Sequence, residues 1–240
     1  MSRHRPVTLD PAEYWQTLYP PQTFARSAVT TIFPGTLRDG RQIALPIRVL
    51  PGDGNTAVAS LIINQASFAV EDALMADMAA LLDPYAPDII VGVPSLGLTL
   101  ANGVARRRGH SRMVALGTTR KFWYDDALSE PSSSISSPGS TKLLYLDPRL
   151  RPLLAGRRVA VVDDVVSTGS SLGSVLRLLA KADVRPVVVV AAMLQSTRWR
   201  TSLAGFDREL CQHVHGAFAT PLLERRGSDT WTPIAPDPAG

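Results

Sequence analysis

Two adjacent carboxylates, Asp163 and Asp164, stand just before a run of small residues, Ser167-Thr168-Gly169-Ser170-Ser171. Carboxylates accept hydrogen bonds from hydroxyls and attract divalent cations. A small-residue turn opening a helix does the opposite: it offers unpaired backbone N–H groups and hydroxyl donors to an anion. The two together suit one kind of ligand, a phosphate whose other end carries hydroxyls or a metal ion, such as a ribose phosphate. The elements that position these groups are legible around them. Val159 to Val162 is a short β-branched run fit for a strand buried on both faces, and Leu172, Val175, Leu176 and Leu179 recur at helical spacing, so a helix begins near Gly169.

A second strand-turn-helix precedes it. Asp88 to Val93 reads as a strand, Pro94-Ser95-Leu96-Gly97 as a tight turn, and Leu98 to Arg108 as a helix. Its free N–H groups point out at the same sheet edge, so a ligand with two phosphate groups is expected there. After a third strand, Arg112 to Leu116, come the cations Arg120 and Lys121, then Phe122-Trp123-Tyr124, then a stretch from Ser129 to Ser140 rich in Ser, Pro and Gly, with Lys142 at its far end. A structureless run of that length inside a compact domain reads as a lid over an active site or as disorder.

The stretch of four apolar residues, Asp163-Asp164, two more apolar residues and a Thr-Gly turn resembles the PRPP-binding motif of the type I phosphoribosyltransferases. Thr119-Arg120-Lys121 before the lid, Leu143 to Asp147, and Leu153 to Val159 make it similar to the adenine and xanthine branch. The resemblance covers about residues 85 to 195. It implies an α/β fold, a parallel-sheet core with helices on both faces and a small accessory hood. It implies 5-phosphoribosyl transfer from Mg²⁺-PRPP to a purine base, releasing pyrophosphate, by a homodimer in which Arg120 and Lys121 serve the neighbouring subunit's site. Asp163 and Asp164 then hold the ribose hydroxyls and, directly or indirectly, the Mg²⁺. Residues 167 to 171 take the 5′-phosphate and Pro94 to Gly97 the pyrophosphate; apart from the resemblance, Lys142 at the far end of the lid is expected to swing in as an extra cation. Two departures stand out: the pyrophosphate loop lacks the Glu and Arg common in adenine enzymes, and Ser132 to Ser140 contains no acid. The alternatives are a PRPP sensor without turnover, or a pyrimidine or orotate transferase.

Composition bounds the rest. The chain has 240 residues, 45% hydrophobic and 19% charged, as a globular protein does, and one cysteine, Cys211, which excludes an internal disulfide framework. Its four histidines have no zinc-ligand spacing; His213 and His215 alternate as on a half-exposed strand. The net charge of +4 suits phosphorylated substrates and does not by itself indicate nucleic acid. No apolar run reaches the roughly 18 residues of a membrane span, and the start lacks a signal peptide's apolar segment, so a soluble cytoplasmic protein is expected. Residues 1–66 read as an accessory region, a short helix from Pro11 followed by antiparallel strands at 28–33, 41–50 and 57–63. Residues 67–195 read as the PRPP-binding core with a flexible lid at about 122–141, and 196–240 as a C-terminal accessory segment of the same domain.

Overall fold

The computed structural model describes residues 9–132 and 142–234. The continuous apolar runs form one sheet. Strands β1 (Ile89–Gly92), β2 (Val114–Ala115), β3 (Val159–Val166), β4 (Val188–Gln195) and β5 (Val214–Thr220) lie in the order β5-β4-β3-β1-β2, and every pairing is parallel. Successive side chains point to opposite faces of a strand, so each run feeds two cores. Ile90, Ala160, Val162 and Val190 pack on one face with α1 (Phe68–Leu81) and α2 (Gly97–Arg107). Val91, Val159, Val161 and Val189 pack on the other with α3 (Ser170–Ala180) and α4 (Arg198–Ala204). A sheet buried on both faces is what an apolar run without alternation requires, and the α/β class with helices on both faces is the fold.

An antiparallel sheet adds the accessory layer. Leu18–Tyr19, Ile32–Thr36, Gln42–Val49 and Thr56–Ala59 come from the N-terminal part, and Leu222–Arg226 and Thr230–Pro233 from the C-terminal part. Leu222–Arg226 pairs directly with Thr56–Ala59. Phe33, Ile43, Leu45 and Ala57 share the core that α1 and α2 cover, so this layer is built onto the parallel sheet.

Four expectations from sequence need correction. The helix from Pro11 is only a 3₁₀ turn, Pro11–Glu13, capped by Asp10; Trp15 then takes a left-handed conformation that puts its indole N–H 2.9 Å from the Ser60 carbonyl. Strand β3 runs on through Asp163 and Asp164 to Val166, so the acidic pair lies inside the strand. The core does not stop at 195, because β5 is its fifth parallel strand. And the segment expected to be a flexible lid, about 122–141, contains a 3₁₀ turn, Asp126–Leu128, and a strand, Ser129–Ser132, paired antiparallel with Lys142–Tyr145. The physical reason is that Leu128 and Glu130, two residues apart and both buried, stand opposite the buried Leu146 and Leu144. The remainder of the expected lid, residues 133–141, lies outside the described residues.

Candidate active site

In a sheet of order 5-4-3-1-2 the winding direction reverses between β1 and β3, and the loops leaving these strands part there to open a crevice at their carboxyl ends. The two strand-turn-helix units read from the sequence flank this crevice. From β1 the chain passes through Pro94, Ser95 and Leu96, with a cis peptide between Pro94 and Ser95, into α2 at Gly97. From β3 it passes through Ser167 and Thr168 to Gly169, the cap of α3.

Two glycines set the fit. A Cβ on Gly97 would stand 2.8 Å from Asp163 Oδ1 and 2.9 Å from Asp163 Cα, so the first turn of α2 rests directly against the acidic pair. Gly169 has φ +84, and a Cβ there would come within 3.2 Å of the Trp199 backbone. Both its conformation and the closeness of α4 require glycine.

Asp163 is buried, and burial pushes its carboxyl well above the usual range, with the Asp164 charge adding to the effect. Asp164 is half-buried and is raised by burial as well. Its backbone N–H donates to Asp163 Oδ1 at 2.8 Å. Among the described residues no lysine or arginine forms an ion pair with either carboxylate. Two hard oxygen ligand groups without a counter-charge fit a divalent cation, but no group of three potential ligands exists among the described residues. Such a pair suits a Mg²⁺ that keeps its waters and is held largely by substrate phosphates, rather than an all-protein cage.

The turn residues come together as the sequence implied. Thr168 Oγ1 and Ser170 Oγ lie 3.1 Å apart, and Ser171 follows in the first turn of α3. Ser167 Oγ, however, bonds to Gln195 Oε1 at 2.7 Å. Gln195, which the sequence reading passed over, has one signal in its favour: it is the polar end of an otherwise apolar strand.

Arg120 and Lys121 lie on the exposed loop beyond the carboxyl end of β2, the same edge as the crevice. Arg120 is held by Asp126 through Nε at 2.7 Å and Nη2 at 3.2 Å, so that edge of its guanidinium is already engaged. Lys121 is exposed, and among the described residues it forms no ion pair. Trp123 is pinned: its indole donates to Asp147 at 3.3 Å and the Arg149 guanidinium lies over its ring at 4.7 Å. Arg149 and the other donors hold the Asp147 carboxyl down at about 2. Lys142 is an exposed residue on the ribbon strand Lys142–Tyr145. The strand opposite is tied to α3, because Glu130 bonds Arg177 at 2.6 Å and Lys181 at 2.7 Å. His213 and His215 belong elsewhere: both bond the Tyr85 hydroxyl, at 3.1 and 2.6 Å, at the start of β5 on the opposite edge.

Comparison with known proteins agrees with this geometry. The family model described as "Phosphoribosyl transferase domain" matches residues 58–225. Among curated proteins the chain is similar to amidophosphoribosyltransferase 2 of Arabidopsis thaliana, 33% identical over 43% of this chain, and spans only 18% of that protein's length. It is also similar to the adenine phosphoribosyltransferase of Rhodococcus jostii, 37% identical over 45% of this chain and 57% of that protein. Among solved structures, adenine phosphoribosyltransferase from Saccharomyces cerevisiae shares the fold with a TM-score of 0.52 at 16% identity, covering 72% of this chain and 94% of that one. With the family model spanning both loops, the acidic pair and the strands that carry them, this chain belongs to the phosphoribosyl transferase domain family.

Proposed function

We propose that the protein transfers the 5-phosphoribosyl group of PRPP to a ring nitrogen of a purine base, giving a nucleoside monophosphate and pyrophosphate. The observation that carries this is the acidic pair at the point where the sheet reverses, with Gly97 of one helix start pressed against it and the α3 start beside it. In this reading Asp163 and Asp164 accept the ribose hydroxyls, in bonds strengthened by their charge. The turn at α3 holds the 5′-phosphate and the Pro94–Gly97 turn the pyrophosphate. As the bond from C1′ to the pyrophosphate oxygen breaks and the bond from C1′ to nitrogen forms, charge accumulates on the leaving group. Arg120, once free of Asp126, and Lys121 stabilise it there. Mg²⁺ arriving with PRPP neutralises further pyrophosphate charge. Closure of the lid at about 122–141 would keep water from C1′. A homodimer in the cytoplasm belongs to the same proposal.

The curated matches favour a second acceptor. Several are named amidophosphoribosyltransferases, which makes an amide or amine nitrogen a reasonable alternative to a base. One assay separates the readings: pyrophosphate release from Mg²⁺-PRPP with purines, pyrimidines, orotate, ammonium and glutamine each supplied in turn. Release with a purine alone supports the proposal, and release with ammonium or glutamine alone moves the acceptor. Tight PRPP binding without release under any condition makes the protein a sensor.

A further inference from the structure

Gln195 closes β4, a strand otherwise made of apolar side chains, and is 8% exposed. A buried amide must find partners for its polar atoms, and the two partners here fix one another's roles. The Ala59 carbonyl can only accept, so the Gln195 atom 2.7 Å from it is the Nε2 amide, donating. That leaves Oε1 facing Ser167 Oγ at 2.7 Å. An amide oxygen can only accept, so the serine is the donor. The one proton of the Ser167 hydroxyl is therefore committed to Gln195. What that oxygen can still offer is lone pairs, which repel the oxygens of a phosphate.

Placement gives this bond its consequence. Ser167 directly follows β3 and the acidic pair, and Ala59 ends an accessory strand that pairs with Leu222–Arg226. One side chain thus joins the turn at α3, the parallel sheet and the accessory sheet. Building on the phosphoribosyl-transfer reading, we propose that Gln195 is a positioning residue: it turns the Ser167 hydroxyl away from the anion and sets the turn, so that the 5′-phosphate is taken by the backbone N–H groups opening α3 and by Thr168. Ser167, expected from sequence to be a phosphate donor, becomes part of the frame.

The test is calorimetric titration with two probes that address the two loops separately, ribose 5-phosphate and pyrophosphate. Gln195→Met should weaken ribose 5-phosphate by about tenfold, the scale of one lost hydrogen bond, and leave pyrophosphate affinity within about twofold. Ser167→Ala should cost ribose 5-phosphate less than Thr168→Val does, and should add nothing further on top of Gln195→Met. Gln195→Leu, which removes both bonds in an uncharged side chain, gives the same selective loss if the Met variant does not fold. Equal losses for both probes would reduce Gln195 to a structural role and overturn the assignment. So would a Ser167→Ala loss as large as that of Thr168→Val, or parental affinity in both Gln195 variants. A parent protein that binds neither ribose 5-phosphate nor PRPP overturns the phosphoribosyl-transfer reading itself, an outcome distinct from a binding parent with indifferent Gln195 variants.

Discussion

Asp163 and Glu130 are both buried carboxylates, and their surroundings treat them in opposite ways. Glu130, at the foot of the ribbon, is pushed up by burial, but hydrogen bonds from Arg177 and Lys181 outweigh that and hold it below its ordinary value. Asp163, at the crevice, has burial and Asp164 both raising it, and among the described residues no cation pairs with it. A buried acid with its counter-charges supplied fastens one element to another. A buried acid without them costs stability wherever it is ionised, and in the proposed function that cost keeps an acceptor ready for the ribose.

The largest effect expected from this contrast is on ligand binding. Asp163→Asn with Asp164→Asn removes two charged acceptors, each worth roughly 1.5 to 3 kcal/mol in a bond to a ribose hydroxyl. The double variant should lose at least a hundredfold in Mg²⁺-PRPP affinity by calorimetry while remaining folded; unchanged affinity breaks the assignment. On the other side of the crevice, Lys121→Ala should lower kcat by about one to two orders of magnitude with a smaller change in PRPP affinity. A loss confined to affinity would mean that the cation serves the ground state.

Stability should respond with opposite signs at the two acids. Asp163 has a raised folded-state value, so its contribution is present below the unfolded value near 3.8 and is lost as pH rises through the folded one. Asp163→Asn should therefore raise the thermal midpoint at pH 7 by a few degrees, with the gain fading toward pH 4. Glu130 is lowered, so its contribution is present above the unfolded value near 4.5 and is lost as pH falls through the folded one. Its cations are 47% and 42% exposed, so Glu130→Gln should cost only about 1 to 2 kcal/mol at pH 7 after allowance for solvent screening. That corresponds to about 2 to 8 °C in the midpoint, and the penalty should vanish in acid. Midpoints measured from pH 2 to pH 7 decide both, and parallel pH profiles for the two variants would erase the distinction. The smallest effect belongs to Asp126→Ala. Its pair with Arg120 is exposed, so the midpoint should not move, while pyrophosphate affinity should rise as Arg120 is released.

What the sequence revealed of this arrangement was local. The run Val159 to Val162, the acidic pair and the helical recurrence of Leu172, Val175 and Leu176 declare strand, site and helix within a single window. Pairings across long separations left no such mark. β5 joins the core by register with β4, yet His215 and Gly216 interrupt its apolar pattern. Glu130 sits between Ser129 and Pro131 in a stretch without periodicity, and only the fold brings Arg177 and Lys181 to it. Arg120 was legible as a cation near the site but not as a cation already engaged, since Asp126 reaches it only through the turn that follows. Gln195 carried its role in two bonds to distant segments, which no spacing in one chain displays.

The pairing of Leu222–Arg226 with Thr56–Ala59 also bears on how the chain folds. During synthesis the strand Thr56–Ala59 and its neighbour Gln42–Val49 emerge early, and one edge of Thr56–Ala59 stays without its partner until almost the whole core has been made. An open apolar edge is a template for pairing with the wrong chain, and contacts this far apart in sequence form slowly. The accessory layer is therefore the last part of the molecule to close. Destabilising changes in Leu222–Arg226 should appear first as aggregation during expression, before any loss shows in the purified protein.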